Sequence, residues 1–530
     1  METKPSDTFW LISLVAQCHD FTFLNLISAT TILLFTYFAA LFLFWAYPGG
    51  PAWGRYWFKK GLKASTIPGP RGLPLIGSMS LMTNLAHHKI AAAAHKHDAK
   101  RLMAFSLGQT RVIVTCNSDV AKEILNSSVF ADRPIKESAY SLLFNRAIGF
   151  APYGVYWRTL RRIAATHMFS PKQIKASESL RSKIASQMVS IFSQNVNQTV
   201  LVRDVLKSAS LNNMMSSVFG RSYELNSSNE EVRALKEMVD EGYDLLGQLN
   251  WSDHLPWLAD LDLQKIRSRC FELVPKVNNF VERIIAEHRE KITDGPSDFV
   301  DVLLSLKGEE KLSDSDLVAV LWEMIFRGTD TVAVLIEWVI ARMVIHPDIQ
   351  STVQRELDSI VGKSNTVNES HVSSLTYLNA VIKEVLRMHP PGPLLSWARL
   401  SITDTTVVGH HIPAGTTAMV NMWAICRDPD VWSDPLSFKP ERFITGENQP
   451  EFSIMGTDLR LAPFGSGRRT CPGKSLGLAT VSYWVARMMH EFEWLPEKDG
   501  APMDLTERLK LSSEMKNPLK VRTRSRMIGA

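Results

Sequence analysis

One cysteine behind a glycine-rich loop is the clearest chemical signal in this sequence. The loop spans residues 463–473, reads PFGSGRRTCPG and carries Cys471. Glycine lets the backbone approach a ligand closely because no Cβ stands in the way. The apolar run 476–489 predicts a helix directly after the loop, and its positive N-terminal end would favour a thiolate at Cys471. The loop therefore predicts a thiolate ligand, whereas the plainer alternative is a buried cysteine in a turn.

A second constellation lies inside a long apolar run. Residues 321–343 predict a helix, and the polar sequence RGTDTV interrupts it at 327–332. Asp330 and Thr331 are costly in an apolar helix unless they are hydrogen-bonded or functional. A carboxylate beside an alcohol can relay protons through ordered water. The alternative is that Thr331 donates to the carbonyl four residues earlier and bends the helix.

Two further pairs have helical spacing. Trp157 and Arg161 lie four residues apart in YWRTLRRIAA, and therefore on one helix face. An indole N–H beside a cation suits an anionic group, although a Trp–Arg stack on the surface would leave the same pattern. Glu384 and Arg387 lie three residues apart in KEVLRMHPPGP, where they can form a buried, bidentate ion pair.

The elements that must position these residues are mainly helical. The chain has 530 residues, of which 45% are hydrophobic and 21% charged, as is typical of a globular protein. The polar segment 294–316 predicts a mobile connection between helices. Apolar spacings of three and four predict helices over 121–125, 172–189, 229–246 and 263–292, whereas β-branched content predicts short strands over 111–115, 405–408 and 417–421.

Cysteine usage and charge exclude two classes of protein. The five cysteines are scattered and odd in number, which argues against a disulfide framework and for a reducing compartment. The net charge of +5 is mild, and no basic stripe interleaved with aromatic residues is present. Nucleic acid is therefore not an expected partner.

The Cys471 loop resembles the haem-binding loop of cytochrome P450 enzymes, whose pattern is F-x-x-G-x-R-x-C-x-G. Phe464, Gly467, Arg469, Cys471 and Gly473 match this pattern. The resemblance implies that Cys471 binds the iron of haem b as a thiolate, which pushes electron density onto the metal. It also implies the cytochrome P450 fold, mainly α with small β-sheets, behind one N-terminal transmembrane helix.

The same resemblance covers the central apolar helix, with one departure. Gly328, Asp330 and Thr331 match the oxygen-activation motif A/G-G-x-D/E-T, which implies that the acid and the alcohol guide protons. Arg327 stands where the family usually has a small residue, and it shares a helix face with Thr331. We consider two hypotheses for Arg327: it meets an acidic group of the substrate, or it forms an i,i+4 pair with Glu323.

Four more positions match the family outside these two motifs. Trp157, Arg161 and Arg399 correspond to residues that contact haem propionates. Arg442, in the sequence PERF, corresponds to the third member of a Glu–Arg–Arg network that would include the E-x-x-R pair. The resemblance gives this network a structural role behind the haem loop.

The N-terminus predicts a membrane anchor. Residues 21–47 carry no charge, and a bilayer needs only about 20 apolar residues, whereas the apolar region of a cleaved signal peptide has about 7–15. Basic residues follow the run, so the positive-inside rule places the rest of the chain in the cytosol. We therefore predict a lumenal terminus over 1–20, an anchor over 21–47, a basic and proline-rich hinge over 48–74 and a cytosolic haem-thiolate domain over 75–530.

The wording of the motifs looks most like plant family 78, subfamily A, whose members are associated with organ and seed growth. The resemblance implies a monooxygenase of the endoplasmic reticulum that oxidises a C–H bond of a small lipophilic substrate, with fatty acids a recurrent suggestion. NADPH-cytochrome P450 reductase would deliver the electrons from NADPH. Two alternatives are a haem-thiolate isomerase or lyase, which would not need the Asp330–Thr331 pair, and a non-enzymatic membrane haem protein.

Overall fold

Helices carry most of the structure, a computed structural model that describes residues 23–60, 66–225, 229–290, 298–395, 398–444, 452–500 and 502–526. The predicted fold class, mainly α with small β-sheets, is confirmed. The helices are α1 (Phe23–Ala46), α2 (Pro51–Lys60), α3 (Ala86–Lys96), α4 (Ser118–Asn126), α5 (Glu137–Ser141), α6 (Val155–His167), α7 (Pro171–Ala176), α8 (Glu178–Gln194), α9 (Val202–Phe219), α10 (Glu230–Gly247), α11 (Ile266–Glu290), α12 (Phe299–Ser305), α13 (Asp314–Ile345), α14 (Pro347–Ile360), α15 (Glu369–Val372), α16 (Thr376–Met388), α17 (Met422–Ile425) and α18 (Lys474–Glu491).

The strands in the described part of the chain form four small sheets. The strands are β1 (Met103–Leu107), β2 (Thr110–Thr115), β3 (Val200–Leu201), β4 (Arg399–Leu400), β5 (Thr405–Val407), β6 (His410–Ile412), β7 (Thr417–Val420), β8 (Phe492–Pro496), β9 (Glu507–Leu509), β10 (Ser513–Met515) and β11 (Lys520–Ser525). A four-stranded sheet has the order β1-β2-β7-β4, in which the β2–β7 pair is parallel and the other pairs are antiparallel. A three-stranded sheet has the order β3-β11-β8, and two hairpins pair β5 with β6 and β9 with β10.

The longest helix, α13, runs through the middle of the structure for 32 residues. It is apolar on several sides at once, as expected for a helix surrounded by protein. Helix α9 comes so close that a Cβ at Gly328 would lie 2.4 Å from Sδ of Met214. Glycine at this position therefore permits the contact between the two helices.

The segment predicted as a mobile connection, 294–316, is partly helical. Its described part contains α12 and the first turn of α13. Asp298 accepts a hydrogen bond from the backbone N–H of Asp301, and Ser313 accepts one from that of Asp316. Polar residues that suggested a loop are therefore N-caps, which begin helices rather than prevent them.

The N-terminal helix joins the body through a second helix. Within the described residues, one helix is long and apolar enough to cross a membrane by length and composition, over Asn25–Ala46. After a short turn, α2 packs on the four-stranded sheet, where Trp53 and Trp57 are buried. The Trp53 indole N–H lies 3.1 Å from the carbonyl oxygen of Val112. The region predicted as a hinge thus contains a helix that is part of the folded body.

A buried ion-pair network braces α16. Arg387 donates two hydrogen bonds to Glu384, from Nε at 2.7 Å and from Nη2 at 2.8 Å, and both side chains are fully buried. Arg442 donates to the same carboxylate from Nε at 3.2 Å. Arg387 also donates to the carbonyls of Cys426 and Pro435, so the network ties the helix to the following irregular chain.

We expect the substitution Glu384→Gln to lower the free energy of unfolding by roughly 3–5 kcal/mol, because it leaves buried Arg387 without a counter-charge. The urea midpoint of the purified protein measures this change. Glu441→Gln is the matched control: Glu441 lies on the surface of the same region, and we expect a change within about 0.5 kcal/mol. Equal midpoints for the two variants would contradict a stabilising network.

Candidate functional site

A cavity lies between α13 and the Cys471 loop. Arg327 and Thr331 line it from α13, while Phe464, Arg469 and Cys471 line it from the loop. Thr331 is exposed although most of its helix is buried, because its side chain faces this cavity. The rest of the wall is largely apolar and includes Leu125, Val332, Leu335, Val420, Leu478 and Val481.

The loop that carries Cys471 depends on its glycines. Gly465 and Gly467 have φ angles of +68° and +67°, which L-residues with a side chain rarely adopt. A Cβ at Gly467 would lie 2.1 Å from the carbonyl oxygen of Leu125. The backbone N–H of Cys471 donates to the carbonyl of Phe464 at 2.9 Å, which closes the loop beneath the cavity.

The electrostatic surroundings of Cys471 differ from the expectation that a helix end would favour the thiolate. Burial raises the pKa of Cys471, although Arg327, the N–H of Gly473, Arg161 and Lys474 act in the opposite direction. Desolvation outweighs these groups because a buried thiolate loses its hydration. Desolvation thus disfavours the thiolate, whereas a bound cation would favour it.

Arg399 provides the test of whether an anionic group fits this cavity. Its side chain is buried on the cavity wall, and Nη2 donates to the carbonyl of Ser466 at 3.2 Å. Nη1 has no hydrogen-bond partner among the described residues. Burial and the nearby charges of Arg469 and Arg161 lower the pKa of Arg399 to about 9. Carboxylates of a bound group would supply both the missing acceptor and the missing negative charge, so haem fits the donor set.

Trp157 and Arg161, predicted to contact the cofactor, lie beside the Cys471 loop. The Trp157 indole donates to the carbonyl of Ile148 at 3.0 Å, and Arg161 donates to that of Thr470 at 2.8 Å. The guanidinium of Arg469 lies 4.3 Å from the centre of the Trp157 ring. These residues therefore brace the Cys471 loop, and Gly473 ends it directly before α18.

Asp330 and Thr331 point to different sides of α13. Thr331 faces the cavity, whereas Asp330 is buried against α9, with Oδ1 3.4 Å from Nζ of Lys207. Burial raises the pKa of Asp330, and Lys207 opposes that shift. Lys207 also donates to exposed Asp240 at 3.1 Å. Neighbours on a helix are about 100° apart, so the acid faces α9 and the alcohol faces the cavity.

The position of Arg327 is compatible with both hypotheses for this residue. Its side chain is 36% exposed and lines the cavity on the same face as Thr331. Its Nη1 also lies 4.0 Å from Oε1 of Glu323, which is 2% exposed. The pair with Glu323 is thus long, and the guanidinium remains beside the space where a substrate would lie.

Sequence reasoning missed Arg133 as a wall residue. This arginine is buried, lines the cavity and donates from Nε to the carbonyl of Gly149 at 3.2 Å and from Nη1 to that of Ala398 at 3.0 Å. It lies in an irregular segment, where no helical or strand spacing assigns a side chain to a face. Only the tertiary structure brings it to Arg327 and Cys471.

Comparison with known proteins agrees with this geometry. The family model described as "Cytochrome P450" matches residues 67–521. Cytochrome P450 78A9 of Arabidopsis thaliana is 65% identical over 529 residues, which cover 99% of each chain. Cytochrome P450 78A3 of Glycine max is 64% identical, over 99% of this chain and 100% of the relative. Flavonoid 3'-monooxygenase of Arabidopsis thaliana is 35% identical, over 87% of this chain and 91% of the relative. With Cys471 beneath a cavity suited to haem and these full-length relatives, the chain belongs to the cytochrome P450 family of haem monooxygenases.

Proposed function

We propose that this protein inserts one oxygen atom from O2 into a C–H bond of a small lipophilic substrate that carries an acidic group, such as a fatty acid. The observation that carries the proposal is the shared helix face of Arg327 and Thr331 in the Cys471 cavity. Apolar walls favour a lipophilic chain, and Arg327, on the helix face of Thr331, favours an acidic end. The organ and seed growth associated with related plant proteins is a proposed biological role.

Haem b is held in this proposal by the residues on both sides of the loop. Cys471 would be the iron ligand, and Phe464, Arg469 and Gly473 would shape the loop around it. Arg399 would donate to a propionate through its unused N–H, and Trp157 and Arg161 would contact a propionate as well. When bound, haem supplies the redox chemistry that activates dioxygen.

Protons for the reaction come from the α13 side. The hydroxyl of Thr331 would hold a proton, or a water that carries one, at the cavity wall. Asp330 would restore that proton from the solvent side, where Lys207 and Asp240 extend its hydrogen bonds toward the surface. The substrate is held by the apolar wall, with its acidic end at Arg327.

Electrons in this proposal come from NADPH through NADPH-cytochrome P450 reductase. Arg468 is exposed beside the Cys471 loop, and Lys474 begins the helix that follows. Positive groups at this face would attract an acidic partner, so the rate of reduction would fall as salt rises. Helix α1 would anchor the protein in the bilayer of the endoplasmic reticulum with the body in the cytosol.

Turnover of a fatty-acid panel tests the proposed function. We expect the full-length protein in membranes, with a plant reductase and NADPH, to form products that are heavier by one oxygen atom, as detected by mass spectrometry. Cys471→Ser should abolish turnover because the thiolate ligand is lost. Product formation without NADPH would instead indicate an isomerase or lyase. Biological activity that survives in Cys471→Ser would favour a non-enzymatic role.

The neighbouring threonines of α13 provide a matched pair of variants. Thr331→Val removes the hydroxyl on the cavity wall, and we expect product formed per NADPH consumed to fall at least about tenfold, as for loss of a proton-transfer group. The Thr329 hydroxyl donates to the carbonyl of Ile325 at 2.7 Å, so Thr329→Val should leave this ratio nearly unchanged. The same loss in both variants would mean that Thr331 has no special role.

Replacement of Arg327 tests the acidic group of the substrate. We expect Arg327→Gln to weaken binding of the acid about tenfold, since a hydrogen bond to a charged group is lost, and to leave binding of its methyl ester unchanged. Titration of the haem absorption spectrum with each ligand measures the two dissociation constants. An unchanged preference for the acid over the ester would contradict the proposed contact.

A further inference from the structure

The buried carboxylate of Glu323 lies one helical turn before Arg327 on α13. Its Oε1 accepts a hydrogen bond from the backbone N–H of Gly149 at 2.7 Å and lies 4.0 Å from Nη1 of Arg327. Its Oε2 has no partner among the described residues. A buried carboxylate is unfavourable without a counter-charge, and Arg327 is the cation that most opposes the rise of its pKa.

The peptide segment 147–151, which Glu323 holds, is also held from the cofactor side. The carbonyl of Ile148 accepts from Arg469 at 3.2 Å as well as from Trp157 at 3.0 Å. The carbonyl of Ala151 accepts a second hydrogen bond from Arg469 at 2.7 Å. The segment therefore links Glu323 on α13 to the arginine of the Cys471 loop.

The contact at Gly149 leaves no room for a side chain. A Cβ at this position would lie 2.2 Å from Oε1 of Glu323 and 2.9 Å from Nη1 of Arg327. Real Cβ atoms do not come so close to either group, so both charged side chains would have to move. Backbone, carboxylate and guanidinium are thus packed against one another at the rim of the cavity.

We propose that Glu323 is a positioning residue for Arg327, and that its contact with Gly149 sets where the acidic end of a substrate is held relative to Thr331. This inference rests on the proposed function, in which Arg327 meets that acidic end. Thr331 and Arg327 are one turn apart on the same helix, so a fixed guanidinium sets how far along the substrate chain the oxidised carbon lies. Glu323 does not touch the substrate; it acts through Arg327 and segment 147–151.

Two variants distinguish the loss of the Glu323 charge from the loss of the Arg327 side chain itself. Glu323→Gln keeps an oxygen that can accept from Gly149 but removes the charge that attracts Arg327. We expect the ratio of the major to the minor oxidised positions to fall about threefold, a typical effect of one partly exposed charged pair. Because Arg327 is still present, the preference for the acid over its methyl ester should remain. Arg327→Gln should instead lose that preference.

Backbone hydrogen exchange provides a readout that does not depend on turnover. Glu323→Ala removes the acceptor of the Gly149 N–H, so exchange in segment 147–151 of the haem-loaded protein should accelerate about tenfold. Gly149→Ala approaches the same contact from the other side and should broaden the oxidised positions as Glu323→Gln does. Glu309→Gln, at an exposed glutamate outside the cavity, is the matched control and should change neither measurement.

The outcomes separate this inference from the proposed function. Unchanged positions of oxidation in both Glu323→Gln and Gly149→Ala, with an active parent protein, would overturn the positioning role. Unchanged exchange in Glu323→Ala would overturn it as well, whatever the substrate is. A parent protein that forms no oxidised acid would contradict the proposed function, while the exchange result would still decide whether Glu323 holds the segment.

Discussion

Burial of several guanidinium groups beside one cysteine is the constraint on which the rest of this site depends. Burial lowers the pKa of Arg399 to about 9 and that of Arg469 to about 10, which reflects the cost of holding these charges away from water. Backbone carbonyls of the irregular segments meet part of that cost, because Arg469 donates to three of them. An anionic cofactor would meet the remainder. The arginines of the cavity thus leave positive charge that the negative charge of a bound group would balance.

Each side of helix α13 faces a different part of the structure around the cavity. The Thr331 side borders the cavity, the Asp330 side faces Lys207 of α9, and Gly328 allows α9 to pack closely. A helix can contact other elements on three sides only if it is surrounded by protein, and burial of its apolar residues stabilises the helix in that position. The Glu384–Arg387–Arg442 network belongs to a different helix, α16, which it ties to the irregular chain that follows.

Local patterns predicted the parts of this site that depend on spacing or backbone chemistry. The Cys471 loop was recognisable because its glycines permit close backbone approach and its pattern matches a known haem-binding loop, and Glu384 and Arg387 because residues three apart share a helix face. Spacing does not say what packs on a face. Trp157 and Arg161 share a face as predicted, yet that face meets backbone carbonyls. Likewise, polar residues near 298 and 313 suggested a loop although they cap helices.

The surroundings of Arg327, the residue that departs from the family pattern, determine how it can bind a ligand. An arginine alone in an apolar cavity would exclude neutral ligands through its desolvation cost, but Glu323 lies one turn away and balances its charge. In the proposed function, an acidic ligand must compete with Glu323 for the guanidinium, so the proposed selectivity depends on geometry as well as on charge. The backbone N–H of Gly149, in segment 147–151, holds the carboxylate of Glu323. Arg327 presents its charge to the cavity at a set distance along α13 from Thr331.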